Sequence, residues 1–374
     1  MIESIAVIHD PRKNINLKYS IQEIVVLSVF AVVAGCDSWV EIEDFGHEKL
    51  DWLNKIINFK NGVPSHDTIS RVFTLIAPTD LQKLFCMWGQ KKFKKNPKHI
   101  AIDGKALKAT SGEKGKFSYL AVISAWASEE GVCLGEVLST LNHEKKAFRD
   151  VIENLNLKDT TVTMDANGLV ASTLHSIKKQ KGDFLVALKE PQLALKKQVF
   201  KEFEERPDET KVYEETSKGH GRLEYRGVEV LDLKKEFNEA TKAKRKKCYE
   251  AQMPEFNSCI RVLSKRMIKG KPPSQEVRYY LSSRKNLSAE EAFKLVRSHW
   301  SIENNLHWSL DVTFNEDRCT VKDRRSALNF SSLRRFSLSI LKSDKSKKSI
   351  RLRRKSAGWS EDYLLKVVKG FCQG

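Results

Sequence analysis

Three carboxylates stand at positions where they could serve metal-dependent chemistry: Asp103, Asp165 and Glu303. Asp103 ends the run HIAID and Asp165 ends TVTMD, so each should close a buried strand and project from a sheet edge toward a shared site. Glu303 lies four residues after His299 and four before His307. Carboxylate oxygens suit Mg²⁺ and Mn²⁺. Two such ions about 4 Å apart can activate an attacking oxygen and stabilise a leaving one in phosphoryl transfer.

Each of these carboxylates also has a plainer interpretation. Asp103 precedes a glycine and Asp165 precedes Ala-Asn-Gly, so both could simply be turn formers. Glu303 could lie on a solvated helix face and contact its flanking histidines. Spacing alone leaves the metal site and these alternatives open.

Further carboxylates follow Glu303 in the same segment. Asp311 is the second candidate for a third metal ligand. Glu316 and Asp317 are better explained as salt-bridge partners of the arginines at positions 318, 324 and 325.

The charge balance favours a polyanionic partner, although solubility alone would also explain it. The formal net charge is +18, from 66 Lys and Arg against 48 Asp and Glu. From Lys322 to the C-terminus there are 15 basic residues against 4 acidic ones, and a second basic run, KKFKKNPK, precedes the first candidate strand. A polyanion fits such a distribution because each cation near a phosphate releases condensed counterions.

The cysteines and the apolar runs indicate a cytoplasmic protein without a membrane span. The seven cysteines are odd in number and show no C-x-x-C spacing, which is typical of free thiols in a reducing compartment. The longest apolar run, IVVLSVFAVVA, is shorter than the roughly 20 residues that cross a bilayer. The first twenty residues lack a signal-peptide pattern.

The first part of the chain is predicted to be a helical domain covering residues 1–95. Within it, NGVPSHDTISRVF offers a turn followed by helix-start residues. Two helices joined by such a turn could dock on DNA, and a small helical bundle is an equally good interpretation.

Residues 96–195 are predicted to form an α/β unit. Strands at 99–103, 119–127 and 132–138 come first, and a helix, a strand, a helix and a strand follow. This order describes a mixed sheet with helices on its faces.

The rest of the chain is predicted to contain an insertion, a helical block and a tail. Residues 196–285 form a charged, β-rich insertion, with strands at 259–263 and 277–282. Residues 286–345 are helical, begin at Ser288 as an N-cap and include Glu303 in the middle of a helix. Residues 346–374 form a basic C-terminal tail.

Several motifs together resemble one family, the insertion-sequence transposases of the ISAs type, which include the H-repeat-associated proteins. The motifs are AIDGKALK, VTMDANG, GHGRLEYR, RSHWSIENNLHWSLDVTFNEDR and ALNFSSLRRFSLSILK, and the resemblance covers nearly the whole chain. It implies a ribonuclease-H-like catalytic domain of the DDE superfamily, in which the triad falls on Asp103, Asp165 and Glu303.

The resemblance also implies the reaction, its cofactors and its partners. The expected enzyme is a bacterial, nucleoid-associated transposase that cleaves the ends of an element and joins the 3′-OH to target DNA, acting as a homodimer on DNA. Two Mg²⁺ or Mn²⁺ ions are expected, one held by Asp103 and Asp165 and the other by Asp103 and Glu303. The alternatives are an inactive, transposase-derived DNA-binding protein and a nuclease on the same fold.

Some positions depart from the pattern of related insertion-sequence transposases. The Tyr, Arg and Lys that accompany the Glu there are Val296, His299 and Leu310 here. DNA contacts are expected instead from basic residues near each motif: Lys105, Lys108, His220, Arg222, Arg297, His299 and His307. His220 and Arg222 could equally form a turn before a strand.

Overall fold

The computed structural model describes residues 2–12, 17–110, 120–140, 144–189, 193–219, 221–244 and 253–372. The strands are β1 (His99–Leu107), β2 (Leu120–Ala127), β3 (Val132–Thr140), β4 (Thr161–Met164), β5 (Asp183–Leu188), β6 (Lys211–Gly219), β7 (Arg222–Asp232), β8 (Ser258–Ile268) and β9 (Ser274–Ser282). The α-helices are α1 (Ile21–Ala34), α2 (Trp39–Glu48), α3 (Leu50–Leu53), α4 (His66–Leu75), α5 (Pro78–Gln90), α6 (Glu144–Glu153), α7 (Ala171–Lys179), α8 (Leu193–Glu205), α9 (Lys235–Lys244), α10 (Ala289–Ser301), α11 (Trp308–Val312), α12 (Arg324–Ser343), α13 (Ile350–Trp359) and α14 (Glu361–Cys372).

The chain divides into two compact units, each made of separate stretches of sequence. The first unit consists of Met1–Pro97, Gly104–Ala147 and Ile302–Gly374. The second consists of Lys98–Asp103 and Phe148–Ser301. Strand β1 therefore begins in the second unit and ends in the first.

The first unit is built around α1, which is apolar on all sides and buried along nearly its whole length. Ser20 caps its N-terminus: the Ser20 side chain accepts from the backbone N–H of Glu23, and the Glu23 carboxylate accepts from that of Ser20. Helices α12 and α13 pack against it.

Aromatic rings join the helices of the first unit. Trp39 of α2 stacks on Phe73 of α4 at 4.8 Å between centroids and contacts Phe330 of α12 at 4.4 Å. Phe85 of α5 stacks on Phe336 of α12 at 4.2 Å. Such pairs contribute about 0.5–1.5 kcal/mol each beyond the apolar area they bury, so they stabilise the arrangement of α2, α4, α5 and α12.

The first unit also contains β2 and β3, two of the predicted strands. Strands β2 and β3 are antiparallel, with Leu120 opposite Thr140 and Ala127 opposite Val132, and β2 also neighbours β1. Any side chain at position 104 of β1 would meet Ile123, because its Cβ would lie only 2.8 Å from the Ile123 Cδ1. Glycine at this position therefore allows β1 and β2 to approach closely.

Three arginines are buried in the first unit. Arg335 of α12 contacts the Glu316 carboxylate at 2.9 Å and that of Glu136 at 3.4 Å. Arg354 of α13 contacts the carboxylate of Asp37 at 2.6 Å, and Arg334 lies over the Phe330 ring at 4.0 Å. Because buried cations without partners would be strongly destabilising, these contacts explain how α12 and α13 tolerate so many polar residues inside.

The second unit contains a mixed sheet in the order β1-β4-β5-β9-β8-β7-β6. Strands β1, β4 and β5 are parallel, while β5, β9, β8, β7 and β6 pair antiparallel. Helix α7 packs on β5, and α10 packs on β4, β6 and β7. The α/β class and mixed sheet predicted from the sequence are confirmed.

Helix α10 begins as predicted at Ser288. The Ser288 side chain accepts from the backbone N–H of Glu291 at 3.2 Å, and the Glu291 carboxylate accepts from the Ser288 backbone N–H at 3.2 Å. Its apolar face packs on the sheet of the second unit, with Leu295 and Val296 among the buried residues. The helix ends at Ser301, and a π-helical segment, Ile302–His307, follows it. Glu303 therefore lies within a helical segment, as predicted, and its turn is of the π type.

Among the described residues, no single helix has the length and apolar character needed to cross a membrane. Helices α1 and α2 meet those requirements only when taken together, and they are bent by 96° relative to each other.

Candidate active site

Asp103, on β1, and Asp165, the first residue after β4, occupy matching positions beside two neighbouring parallel strands of the second unit. The register between β1 and β4 pairs Ile102 with Met164. Asp103 directly follows Ile102, and Asp165 directly follows Met164. Ile102 and Met164 are buried on one face. Because successive residues of a strand alternate between faces and adjacent strands lie about 4.8 Å apart, both carboxylates belong to the opposite face.

The turn after β4 holds the Asp165 carboxylate. Its Oδ1 accepts from the backbone N–H of Asn167 at 3.0 Å, which caps a short 3-10 turn. Gly168 closes this turn directly against Met164, since a Cβ at position 168 would lie 2.7 Å from the Met164 Cβ. The sequence DANG thus serves to place Asp165 immediately beyond the strand.

A lysine that the sequence analysis did not single out also contacts Asp165. The Nζ of Lys189, which follows β5, lies 3.2 Å from the Asp165 Oδ2. Strand β5 is parallel to β4 and adjacent to it, so the carboxyl ends of both strands meet at one edge. The motif FLVALK placed this lysine at a strand end, but only the strand order shows which carboxylate it meets.

His299 of α10 lies close to the Asp165 side of the sheet. Its Nδ1 is 3.0 Å from the Thr163 hydroxyl, on the strand that leads to Asp165. Burial lowers the pKa of His299 to about 4, and the charge of Lys189 adds to this effect while that of Asp165 opposes it. The ring is therefore neutral at pH 7 and can act as a hydrogen-bond donor or acceptor but not as a cation.

Glu303 belongs to the first unit and is exposed to solvent. In the π-helical segment, Ile302 and Leu306 are buried whereas Glu303, Asn304 and Asn305 all face outward. Single π-helical turns within helices occur frequently at functional sites. His307, the last residue of the segment, is half-buried.

The two positions that carry Tyr and Lys in related insertion-sequence transposases are apolar and buried here. Val296 is 6% exposed and Leu310 is fully buried. Both side chains lie inside the protein and carry no polar group, so the polar groups nearest the Glu-bearing segment differ from that pattern.

Lys105 and Lys108 differ in how available they are for phosphate contacts. The Lys105 side chain is only 9% exposed, and its ammonium lies 2.8 Å from Asp311 and 3.2 Å from Asp317. Lys108 is largely exposed and contacts Asp317. Lys105 would have to leave two carboxylates to reach a phosphate, whereas Lys108 already points to solvent. The predicted DNA contacts of both residues stay predictions.

The hairpin of β6 and β7 carries another predicted DNA-binding residue. Arg222 begins β7 and contacts Glu224 at 3.0 Å, as does Arg266, and Arg226 contacts the same carboxylate. Burial alone would raise the pKa of Glu224, but these arginines hold it below its usual value. His220 lies outside the described residues, and Arg297 is exposed on α10.

Comparison with known proteins identifies the family. The model of the family described as "Transposase DDE domain" matches residues 94–340. The chain belongs to the DDE transposase family. A family described as "DDE_Tnp_1-associated" matches residues 2–89. The family assignment that the motifs predicted is thereby confirmed.

Relatives of this DDE transposase cover almost its whole length. It is 34% identical to "Putative protein YbfL" and 33% identical to "H repeat-associated putative transposase YhhI", both of Escherichia coli K12, over 99% of this chain and 98% of each relative. A shorter match, 39% identity over 72 residues and 19% of this chain, covers 86% of "Inactive transposase YbfQ" from the same organism.

DDE transposase domains use divalent metal ions, and the oxygen donors here fit such ions in part. Asp103 and Asp165 present hard oxygen ligands at matching strand positions. Both oxygens of Asp165 already accept hydrogen bonds, so a metal ion at Oδ2 would displace Lys189. Among the described residues, no three His, Cys, Asp or Glu side chains are grouped so as to hold a metal ion.

Proposed function

We propose that this DDE transposase cleaves DNA at the ends of an insertion sequence and joins the freed 3′-OH to target DNA. The observation that carries the proposal is the matching position of Asp103 and Asp165 on neighbouring parallel strands. Glu303 completes the proposed triad because it occupies the Glu position of the motif HWSIEN. The ribonuclease-H-like fold is part of the proposal, and the strand and helix order of residues 99–188 agrees with it.

In the proposed reaction, water attacks the phosphorus at the element's end, and the bond to the 3′ oxygen breaks to leave a 3′-OH and a 5′-phosphate. The 3′-OH then attacks a phosphodiester of the target, and a target 3′-OH leaves. Bound Mg²⁺ or Mn²⁺ would supply Lewis-acid activation and neutralise the developing charge. Asp103, Asp165 and Glu303 would hold two such ions, and the backbone N–H of Asn167 keeps the Asp165 carboxylate oriented.

Basic side chains would hold the DNA without reading its sequence. The proposed contacts are Lys105, Lys108, His220, Arg222, Arg297, His299 and His307. Lys189 joins this set because its ammonium lies at the Asp165 carboxylate. The helical N-terminal residues would recognise the element's terminal sequence, and two copies of the chain would bring two ends together.

The second candidate is a DNA-binding protein without catalysis. Two observations favour it: one relative carries the name "Inactive transposase YbfQ", and the described residues contain no three-ligand metal group. This candidate requires DNA binding but no divalent metal ion.

The test is cleavage and strand joining on a labelled duplex that carries the element's own end, with Mg²⁺ or Mn²⁺. Glu303→Gln and Asp103→Asn should abolish both reactions while DNA binding is retained. Asp208→Asn, at an exposed position on the second unit, serves as the matched control and should react like the original protein. Binding without cleavage by every protein would establish the second candidate, and full cleavage by Asp103→Asn would exclude the proposed triad.

A further inference from the structure

One hydroxyl group joins two buried or half-buried histidines in the second unit. The Thr163 Oγ1 lies 2.8 Å from the Nε2 of His99 and 3.0 Å from the Nδ1 of His299. His99 is on β1, Thr163 on β4 and His299 on α10. The three residues thus form a continuous hydrogen-bonded chain across two strands and one helix.

The hydrogen-bonded row of His99, Thr163 and His299 lies on the face of the sheet that carries the aspartates. Side chains two or four positions apart on a strand share a face. His99 precedes Asp103 by four residues, and Thr163 precedes Asp165 by two. Helix α10 packs on β4, and it brings His299 to this face one helical turn before the segment that contains Glu303.

The number of available hydrogens determines which group donates and which accepts in these two hydrogen bonds. A threonine hydroxyl has one hydrogen, so it can donate to only one of the two rings and must accept from the other. The Nδ1 of His99 is buried and has no hydrogen-bond partner among the described residues. A proton at that nitrogen would be a buried donor without an acceptor, which is costly.

The proton of His99 is therefore best placed on Nε2, where it is donated to Thr163. The Thr163 hydroxyl in turn donates to the Nδ1 of His299. This leaves the proton of His299 on its Nε2. Burial lowers the pKa of His99 to about 3 and that of His299 to about 4, so both rings are neutral and each carries a single ring proton at pH 7.

We propose that Thr163 and His99 are positioning residues that hold His299 in its Nε2–H tautomer, so that the ring donates a hydrogen bond to a phosphate oxygen of bound DNA. This role for the N–H donor rests on the proposed function, whereas the tautomer itself does not. A neutral N–H donor suits this position because it binds a phosphate oxygen without placing a permanent cation beside a metal site. It also differs from the arginine that related insertion-sequence transposases carry at this position.

The tautomers can be measured on the full chain without DNA or metal ions. Protein labelled with ¹⁵N at histidine distinguishes a protonated from an unprotonated ring nitrogen, and His99→Gln and His299→Gln variants assign the two signals. We expect both rings to be protonated on Nε2 and to show no titration between pH 5 and 8. A proton on the Nδ1 of His299 in the unaltered protein would overturn the proposal.

Two substitutions at one position separate the hydroxyl from the shape of the side chain. Thr163→Val removes the hydroxyl and should give a mixture of His299 tautomers, whereas Thr163→Ser retains the hydroxyl and should keep the Nε2–H form. Thr173→Val is the matched control, because Thr173 is buried on α7 and its hydroxyl has no partner among the described residues. An unchanged His299 signal in Thr163→Val would overturn the proposal.

Activity supplies the second readout. Removal of one preorganised donor to a charged oxygen in a transition state costs about 100-fold or more in rate, and Thr163→Val only disturbs the orientation of such a donor, so it should lower the cleavage rate by about tenfold. Thr163→Ser and Thr173→Val should remain within about twofold of the original rate. Full cleavage by Thr163→Val with a disturbed tautomer would refute the phosphate role. If no protein cleaves, the proposed function fails. The tautomer measurement still tests whether Thr163 and His99 hold His299 in its Nε2–H form.

Discussion

Asp165 directly follows Met164, whose paired residue Ile102 directly precedes Asp103, so the two aspartates stand side by side on parallel strands. The two aspartates are 62 residues apart in the sequence, but their backbones are separated in the fold only by the distance between neighbouring strands, about 4.8 Å. Two oxygen-bearing side chains at such a distance can share one divalent cation. The predictions below test that arrangement and the ionic clusters around it.

Asp165→Asn should weaken Mn²⁺ binding and lower the cleavage rate about 100-fold or more. A metal ion contributes several kcal/mol to the stabilisation of a phosphoryl-transfer transition state, and about 2.7 kcal/mol corresponds to a factor of about 100. Titration with Mn²⁺ and a cleavage assay measure the two effects. Metal affinity equal to that of the original protein would show that Asp165 is not a ligand.

Lys189→Met should tighten Mn²⁺ binding by a factor of up to about 5. The Lys189 ammonium competes with a metal ion for the Asp165 Oδ2, and exposed ion pairs contribute about 1 kcal/mol or less. Lys178→Met is the control because Lys178 pairs with Asp183 at 2.6 Å in the same unit. A weaker metal affinity in Lys189→Met would contradict this explanation.

Lys105→Met should lower the free energy of unfolding by about 3–5 kcal/mol. Removing this buried ammonium leaves Asp311, Glu316 and Asp317 without their shared partner, and breaking a buried ion pair from one side has a cost of this order. Urea unfolding measures the change. Lys108→Met, at the exposed neighbour, should cost about 1 kcal/mol or less. Equal losses in the two variants would be inconsistent with a buried cluster around Lys105.

The pair formed by Glu43 and His66 should make stability depend on pH. The hydrogen bond that the His66 ring donates to the Glu43 carboxylate raises the pKa of His66 above its usual 6.5. The hydrogen bonds from His66, first that of its backbone N–H, lower the pKa of Glu43 below its usual 4.5. The histidine contribution is complete below pH 6.5 and is lost as pH rises through the raised pKa. The glutamate contribution is present above pH 4.5 and is lost as pH falls through the lowered pKa.

The pair should therefore stabilise the first unit most between about pH 4.5 and 6.5. An NMR titration of His66 should give a pKa above 6.5, and Glu43→Gln should bring it down. Glu48→Gln, at an exposed position of α2, should leave the titration unchanged. A His66 pKa at or below 6.5 in the original protein would contradict the prediction.

Periodicity was sufficient to predict most helices and strands. Strands β2 and β3 lie where apolar spacing placed them, and Ser288 caps α10 as its residue type predicted. These features depend on interactions between residues close in sequence, which is why local pattern reveals them.

Contacts between distant segments could not be predicted in the same way. Lys189 meets Asp165 only because β5 lies beside β4. The contact of Thr163 with His299 depends on the packing of α10 against β4, which the local sequence around Thr163 does not indicate. The cations that contact Glu316 and Asp317 include Arg335, Lys105 and Lys108, whereas the sequence had suggested the arginines at positions 318, 324 and 325 for this role. The π-helical turn at Glu303 has no periodic signature, because its residues continue a helical pattern.

The buried cations of the first unit change how strongly DNA binding should respond to salt. Arg334, Arg335 and Arg354 contribute to the formal net charge of +18 but are held inside by carboxylates, carbonyl groups and an aromatic ring. Only cations that reach phosphates displace condensed counterions, at a slope of about 0.9 per phosphate in a plot of log affinity against log salt concentration. The number of phosphates deduced from such a plot should therefore fall short of the number that the basic C-terminal sequence suggests.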